Sequence, residues 1–488
     1  MMGNIKKNVG IALLGALLVF GSACGQKPWV AEEQQRLLAA NEGSYIDPNT
    51  GQIVGADGAP VGGAAGGSAA GTAGGSSGDS GTAGTDGTAG TDGTTTPGDS
   101  DKGPKTPQGP NPPGSPSGGI ATGVSANAIK IGFHAPLTGA APVPSDSVSK
   151  GKDLYFRYHG SVVAGRTVNV VLKNDTYNPS TAVAVCKEMV EKDKVFMLSG
   201  AAGTDQIAAC ARYAESVGVP YLSAGVTEAG LTGLSTYFAT TMTYPDQGPM
   251  LARYMASTMG AKSEQNGILW FNTPSFQDAH NAWVSGMGSV GAPVSYDGAY
   301  SKGSGDQQAI QAVQTMQAKG IDNVYVLTSP AWFLRVLIAA KNQGYRPQWT
   351  GVGITMTFDT VASVGCRSGT IDGAKFFSPF PAWADTKKYD PNFAKAVQKF
   401  HPEENGGDDF MWLSWAFSKV GSQLMSLPGE NLTRERFIWF AERARVNPGI
   451  FPALSFSPSD RFGANTVVVN QAKCSDNRWH TIADFRSY

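Results

Sequence analysis

Two short apolar runs, each followed by a loop of small residues, set the strongest limit on how this chain can fold. They occupy residues 195–198 and 219–222, which is too short for helices and long enough for buried parallel strands. Residues 205–217 between them have helical spacing, so the stretch predicts strand, helix, strand with both loops at one sheet edge. The loops hold glycines and hydroxyls (Ser199, Gly200, Gly203 and Thr204, then Ser223, Gly225 and Thr227). Such loops favour a ligand site at the strand ends, although ordinary tight turns are the alternative.

The N-terminus predicts export. Lys6 and Lys7 precede an apolar run at residues 9–20 that is too short to span a bilayer, and the tetrad Gly21-Ser22-Ala23-Cys24 follows. This pattern indicates a secretory signal peptide at residues 1–23. The tetrad resembles a bacterial lipobox, with Gly21 where Leu is usual, and predicts lipidation of Cys24. Plain signal cleavage beside an incidental cysteine is the alternative. We therefore expect an extracytoplasmic protein anchored to the cell membrane by an N-terminal lipid.

Residues 51–123 have the composition of a disordered linker. Gly, Ala, Ser, Thr, Pro and Asp dominate this region, with GTAGTDGTAGTDG as a near-repeat, and such a segment cannot build an apolar core. A flexible coil of about 70 residues has an end-to-end distance of roughly 40 to 50 Å. With a membrane-proximal segment at residues 24–50, this region predicts a stalk between the anchor and the folded part.

Strands and helices alternate through the rest of the chain. A strand at residues 129–133 leads into a loop at 134–139, and a second α/β unit begins after a crossing segment at 237–249. The alternation predicts parallel sheets with helices on both faces. Lys and Arg number 38 against 39 Asp and Glu, and no basic block occurs. This charge balance argues against a nucleic-acid partner.

Four cysteines remain after Cys24, and in an exported protein they are expected to pair. Three pairings are possible. Cys186 and Cys210 lie on consecutive predicted helices of the first unit, and Cys366 and Cys474 fall in the second. This placement favours the disulfides Cys186–Cys210 and Cys366–Cys474. A metal site is the weaker alternative, because no Cys-x-x-Cys or histidine pair accompanies these residues, and no cofactor is expected.

Several segments, in order, resemble the leucine/isoleucine/valine-binding proteins, the type I periplasmic solute-binding proteins of ABC transporters. The segments are IKIGFHAPLTG, NDTYNPSTAVAVCKEMVEKDKVFMLSG, GVPYLSAGVTEAGLT, TTMTYPDQGP and DNVYVLTS. The resemblance runs from about Ile129 to the C-terminus. It implies an α/β fold of two lobes with three hinge crossings, near Thr243, Phe376 and Phe456. The first lobe would comprise residues 124–243 with 376–456, and the second 244–375 with 457–488.

Carried over position by position, the resemblance implies a ligand site built from both lobes. Its residues are Thr138, Ala202, Gly203, Thr204, Gly225, Thr227, Phe276, Ser329, Gly353 and Trp415. Amino-acid binders of the family have an acidic residue at the position of Gly353, which neutralises the ligand's ammonium, and Tyr at that of Ser329. A buried ammonium without an anion is strongly unfavourable. The sequence thus argues against an α-amino acid unless Asp205, Glu228 or Asp278 supplies the charge. Aromatic residues near the site favour flat or apolar solutes such as aromatic acids or amides.

The resemblance implies a substrate-binding lipoprotein of an ABC importer of the branched-chain amino-acid type. Its lobes would close on a small organic solute, the identity of which the sequence leaves open, and present it to a permease. No enzyme activity is expected, because the five histidines are scattered, with neither metal spacing nor a nucleophile elbow. His134, on the first cleft loop, is interpreted as a solvated histidine or a ligand contact. A ligand-sensing ectodomain and a surface interaction protein without a small ligand are the alternative functions.

Overall fold

The computed structural model describes residues 114–139, 142–224, 231–353 and 355–488. It also describes the backbone of two short strands, β1 (Tyr45–Ile46) and β2 (Ile53–Val54), which pair antiparallel. Within these residues, strands and helices alternate along the chain and form two large sheets. No helix in the described ranges is long and apolar enough to cross a membrane.

The first sheet has five parallel strands. They are β3 (Ala128–Ala135), β4 (Thr167–Asn174), β5 (Met197–Gly200), β6 (Tyr221–Ser223) and β7 (Tyr237–Ala239), in the spatial order β4-β3-β5-β6-β7. The connecting helices are α1 (Ser145–Gly151), α2 (Leu154–His159), α3 (Pro179–Glu191) and α4 (Thr204–Ser216). The succession β5, α4, β6 confirms the predicted strand, helix and strand, and all residues of both strands are buried.

The second sheet has seven strands and is mixed. Its strands and flanking helices begin, in chain order, with α5 (Tyr244–Tyr254), β8 (Asn266–Phe271), α6 (Pro274–Ser289), β9 (Val294–Tyr300), α7 (Asp306–Ala318), β10 (Asn323–Leu327) and α8 (Pro330–Asn342). It continues with β11 (Gln348–Val352), α9 (Asp359–Ser368), β12 (Lys375–Ser378), β15 (Val467–Lys473) and β16 (Arg478–Arg486). The spatial order is β16-β15-β12-β11-β10-β8-β9. β15 runs antiparallel to both β12 and β16. The alternation of strands and helices predicts a parallel sheet, and this part of the second sheet departs from that prediction.

A group of helices between β12 and β15 returns to the first sheet. They are α10 (Thr386–Tyr389), α11 (Pro391–Phe400), α12 (Asp409–Ser426) and α13 (Arg434–Ala441), followed by the paired strands β13 (Arg445–Val446) and β14 (Leu454–Ser455). Helix α12 is buried on almost every side. Its residues Trp412 and Phe417 share one apolar core with Phe156, Met197 and Leu222 of the first lobe. The helix therefore belongs to the first lobe, although its sequence follows most of the second.

The chain passes between the sheets at three places: after β7, after β12 and before β15. The segment predicted to cross near Phe376 is β12 itself, which pairs with β11 and β15 in the second sheet. The third crossing starts from a segment that pairs with the first sheet, since Arg461 O accepts the backbone N–H of Ala239 at 2.8 Å.

Both predicted disulfides are confirmed. Cys186–Cys210 joins α3 to α4 in the first lobe. Cys366–Cys474 joins α9 to the turn between β15 and β16 in the second lobe. Each bond therefore lies within one lobe and leaves movement between the lobes unconstrained.

Candidate functional site

Polar side chains bridge the two lobes at the carboxyl ends of their strands. Asp205, in the first turn of α4, accepts a hydrogen bond from Ser275 Oγ of α6 at 2.8 Å and forms an ion pair with Lys302 after β9. The Lys302 ammonium also lies 5.6 Å from the ring centroid of Tyr177 in the first lobe. Burial opposes ionisation of Asp205, but the hydrogen bond and charge of Lys302 outweigh it and hold the pKa of this carboxyl below its ordinary value.

The N-terminus of α4 lies at this edge of the first lobe. Gly203 precedes the helix with φ of 84°, and a Cβ there would lie 2.4 Å from Gln206 Oε1, so the position requires glycine. No side chain caps the helix, and its first N–H groups are available to an anion. Gln206 is 1% exposed, and neither of its amide atoms has a hydrogen-bond partner in the described structure. Because buried polar atoms are almost always paired, this amide indicates a ligand position.

Thr138 and Ala202 lie on neighbouring loops. Thr138 is exposed, and its Oγ1 accepts a hydrogen bond from Asn174 Nδ2 at 2.7 Å. Asn174 Oδ1 accepts the backbone N–H of Leu137 at 2.9 Å and of Thr138 at 3.3 Å, so one asparagine holds this loop. Thr204, at the start of α4, is half-buried, and its hydroxyl makes no hydrogen bond to the part of the chain that the structure describes. Thr204 is therefore the better placed of the two threonines to bind a solute.

The second lobe contributes an aromatic wall. Phe276 of α6 stacks against Tyr244 at the start of α5, with ring centroids 6.2 Å apart and planes inclined by 20°. Gly353 follows β11 with φ of 125°, and a Cβ there would lie 2.6 Å from Tyr244 Oη. Tyr244 thus fills the space that a side chain at position 353 would need. The sequence reasoning missed Tyr244, although its crossing segment TYPDQGP was one of the segments that carried the resemblance.

Ser329 lies at the carboxyl end of β10. Its Oγ caps α8 by accepting the backbone N–H of Trp332 at 3.3 Å. The hydroxyl keeps its own proton, which it can donate to a ligand. Phe276, Ser329 and Gly353 therefore all lie near the carboxyl ends of strands of the second lobe, and their role as ligand contacts stays a prediction.

Trp415 lies in the core of the first lobe instead of the cleft. Its side chain is fully buried on α12, 5.0 Å from the ring of Tyr155 and 5.8 Å from that of Phe393, and Nε1 donates to Asp390 Oδ2 at 3.1 Å. An indole with no exposed face and a used N–H cannot contact a solute. The prediction that Trp415 contacts the ligand is therefore wrong. It failed because α12 has apolar residues on every side, so its sequence does not indicate which face lies in the core.

Several predicted residues fall outside the described part of the chain. They are Gly225, Thr227 and Glu228 in the loop after β6, and Cys24. Their roles remain predictions. Of the other acidic candidates for an ammonium partner, Asp205 is paired with Lys302, and Asp278 is exposed on α6.

His134 is a buried structural residue, contrary to its interpretation as a solvated loop histidine or a ligand contact. Its Nδ1 donates to Asp175 Oδ2 at 2.7 Å, and its Nε2 lies 2.6 Å from Tyr221 Oη. Burial raises the pKa of Tyr221 well above its ordinary value, so the phenol keeps its proton and donates it to Nε2. All three side chains have essentially no exposed surface. The network joins β3, β4 and β6 directly beneath the cleft loops.

His134 also lies near the Cys186–Cys210 disulfide. A nitrogen of His134 and the two sulfurs are all within 4.8 Å of one another, which is a spacing suitable for a metal ion. The sulfurs are bonded to each other, and metals are bound by thiolates. This cluster therefore offers a single ligand and is not assigned as a metal site.

Two carboxyl groups from different lobes lie together at the start of α9 and α12. The backbone N–H of Asp359 donates to Asp409 Oδ2 at 3.0 Å, while Asp359 Oδ1 accepts the N–H of Trp479 at 3.1 Å. Burial raises the pKa of Asp359 to about 6, and burial together with the charge of Asp359 raises the pKa of Asp409 well above its ordinary value. Arg478, with Nε 3.8 Å from Asp359 Oδ2, offsets part of this effect. Asp408, Asp476 and His480 are the other charged or titratable groups that face the pair.

Replacing Asp359 by Asn is expected to stabilise the protein at pH 7 by about 2 kcal/mol, and this gain should fall to about half near pH 5 and disappear below about pH 4. A carboxyl whose pKa is raised in the folded state binds its proton more tightly than in the unfolded chain. Its stabilising effect is complete below about pH 4 and is lost as the pH rises through about 6. Burial lowers the pKa of His159, which gives the opposite dependence over this range. Urea unfolding should therefore compare the free energies of unfolding of Asp359→Asn and wild type at pH 7 and at about pH 4. An equal difference between the two proteins at both pH values would contradict the prediction.

Two α/β lobes, three crossings and a cleft lined by a helix N-terminus and aromatic rings define a two-lobed solute-binding fold. The model of a family described as "Periplasmic binding protein" matches residues 128–478, and the chain belongs to this family. Its members act outside the cytoplasm. A search of curated protein sequences finds no match.

Solved structures with the same fold bind different solutes. A fatty acid ABC transporter substrate-binding protein from Thermomonospora curvata is 17% identical, with a TM-score of 0.65 over 76% of this chain and 95% of that one. A branched-chain amino acid ABC transporter protein from Thermus thermophilus with bound valine is 14% identical, with a TM-score of 0.63 over 75% and 98%. A solute-binding protein from Rhodopseudomonas palustris BisB5, in complex with 3,4-dihydroxybenzoic acid, is 17% identical, with a TM-score of 0.62 over 74% and 96%. Identities this low establish the fold only.

Proposed function

We propose that the protein is an extracytoplasmic solute-binding protein of an ABC importer of the branched-chain amino-acid type, which captures a small organic solute by hinge closure. The contact of Asp205 with Ser275 and Lys302 carries this proposal, because it joins α4 of one sheet to elements of the other. Side chains that meet across a cleft stabilise the closed form relative to the open one. A solute bound between them would be released only when these contacts break.

The proposed solute contacts come from both lobes. Gly203, Thr204 and the first N–H groups of α4 would bind a polar or anionic group, while Phe276 and Ser329 would contact it from the other side, with the backbone of Gly353. Thr138 and Ala202 would line the edge of the cleft, and Thr138 would act mainly through its bond to Asn174.

The ligands of the structural neighbours support a small organic acid. The neighbours are described as binding or transporting a fatty acid, valine and 3,4-dihydroxybenzoic acid, and each of these compounds has a carboxylate. An uncapped helix N-terminus suits that group. The protein would bind its solute without altering it, because the homologues are solute-binding proteins.

Delivery to a permease completes the proposal. Lipid on Cys24 would anchor the protein to the membrane, and residues 51–123 would act as a linker that lets the folded part reach the transporter. The partners would be the solute, an ABC permease and, through the lipid, the membrane.

Replacing Lys302 by Met is expected to weaken solute binding about five- to tenfold, because it removes a half-exposed ion pair and a cation–π contact that form between the lobes. A thermal-shift panel of valine, octanoate and 3,4-dihydroxybenzoate would first identify a bound compound. At 100 times its Kd, a ligand adds about 2.7 kcal/mol to the stability. Isothermal titration would then compare Lys302→Met with Lys341→Met, which changes an exposed lysine of α8 in the same lobe.

Small-angle scattering supplies a second readout, because closure on a ligand should reduce the radius of gyration. Equal affinities in the two lysine variants would show that the Lys302 contact does not stabilise the closed form. If no small organic solute changes either the melting temperature or the radius of gyration, the proposed function is wrong.

A further inference from the structure

The balance of charges in the cleft constrains which solutes it can accept. Asp205 and Lys302 are paired with each other, so these two side chains together carry no net charge. What remains unbalanced is the N-terminus of α4, a helix of 13 residues with no side-chain cap. The amide dipoles of such a helix place partial positive charge at this end. The described part of the cleft therefore favours an anion.

Gln206 gives independent support for a ligand at this position. It occupies the first turn of α4, is 1% exposed and leaves both the donor and the acceptor of its amide unpaired. Its side chain lies against Gly203, at the N-terminal end of the helix. A carboxylate there would accept hydrogen bonds from the Gln206 amide and from the helix N–H groups. No group in the described part of the chain accepts the hydrogen bonds of the Gln206 amide.

In the described residues, the opposite wall of the cleft is aromatic. The stacked rings of Tyr244 and Phe276 occupy it, and Tyr244 Oη would lie 2.6 Å from a Cβ at position 353. An acidic side chain at that position would require Tyr244 to move. Among the described acids, Asp205 is already paired with Lys302, Asp278 is exposed on α6, and Asp246 in the first turn of α5 accepts a hydrogen bond from Thr243 Oγ1 at 2.7 Å.

We infer that the solute is a carboxylate on a flat apolar body, with no ammonium group beside the carboxylate. This inference rests on the proposed function and names the class of solute for that site. The helix N-terminus, Thr204 and Gln206 bind the carboxylate, and the Tyr244–Phe276 pair stacks on the flat part. An ammonium group would lose its hydration in the closed cleft without gaining an anion.

Four compounds with one carbon skeleton test the inference: 3-phenylpropanoate, L-phenylalanine, 3-phenylpropanamide and 3-cyclohexylpropanoate. Isothermal titration of the full chain should show tightest binding of 3-phenylpropanoate. L-phenylalanine, which differs by one ammonium group, should bind roughly a hundredfold more weakly. The neutral amide should bind at least about tenfold more weakly than 3-phenylpropanoate. The same loss is expected for 3-cyclohexylpropanoate, which has a puckered ring in place of the flat one.

Gln206→Met provides the matched variant, because Met has a similar length and no amide. It should weaken binding of 3-phenylpropanoate about tenfold and leave the melting temperature of the ligand-free protein unchanged or raised, since it removes a buried unpaired amide. Gln314→Met, on the exposed side of α7, is the control. Tighter binding of L-phenylalanine or of the amide would overturn the inference and leave the proposed function standing. Failure of every solute to close the lobes would overturn both.

Discussion

Replacing Asp175 by Ala is expected to lower the free energy of unfolding by about 2 to 5 kcal/mol. The carboxylate accepts two hydrogen bonds, from His134 Nδ1 at 2.7 Å and from the backbone N–H of Tyr177 at 2.9 Å. Ala would leave both donors without an acceptor, and His134 is fully buried. Each unpaired buried donor costs about 1 to 3 kcal/mol. Urea unfolding of the ligand-free protein would measure the loss.

The same substitution should also weaken solute binding. Thr176 and Tyr177 both have positive φ, 54° and 56°, and the side chains of Asn174 and Asp175 hold their backbone N–H groups. Without Asp175 this turn loses one of its two restraints, and Tyr177 underlies Lys302 at the lobe interface.

Asp175→Asn is the control for this prediction. Its amide oxygen can accept one of the two hydrogen bonds, so it should lose about half as much stability as Asp175→Ala. A loss below about 1 kcal/mol in Asp175→Ala would show that the buried network does not contribute as its geometry indicates.

Much of the fold follows from local sequence pattern, and the elements that the pattern does not indicate have physical reasons. The short apolar runs at residues 195–198 and 219–222 indicate buried parallel strands, and they overlap β5 and β6. Strand β9, with sequence VSYDGAY, combines polar residues and glycine at a sheet edge, a pattern that does not indicate a strand from sequence alone. Strand β11, with sequence QWTGV, likewise lacks an apolar run. The cross-lobe contact of Asp359, at the start of α9, depends on Asp409, which is 50 residues away in the sequence.

The site was less predictable, because its contacts join residues that are distant in the sequence. Asp205 and Lys302 are 97 residues apart, and Lys302 follows strand β9. His134 gains its partners from 41 and 87 residues away, so nothing near it indicated burial. Glycine before α4 follows from the backbone, because Gly203 has a positive φ and a Cβ there would lie 2.4 Å from Gln206 Oε1.

Removing the disulfide Cys366–Cys474 by the double substitution to Ala is expected to lower the free energy of unfolding by about 4 to 5 kcal/mol. The bond closes a loop of 108 residues, and the chain-entropy model gives about 4.7 kcal/mol for a loop of that size. The effect acts on the unfolded chain, which becomes more expanded when the bond is absent. The urea m-value should therefore rise as the stability falls.

The bond also fixes the turn of the β15–β16 hairpin against α9. Trp479 of β16 donates its backbone N–H to Asp359 and its Nε1 to Phe358 O, both at 3.1 Å, so the native contacts should hold the hairpin in place without the bond. Removing Cys186–Cys210, which closes a loop of 24 residues, should cost about 3 kcal/mol on the same model and change the m-value less. A loss under about 2 kcal/mol for the longer loop, with an unchanged m-value, would show that the unfolded chain is compact enough to restrain this loop already.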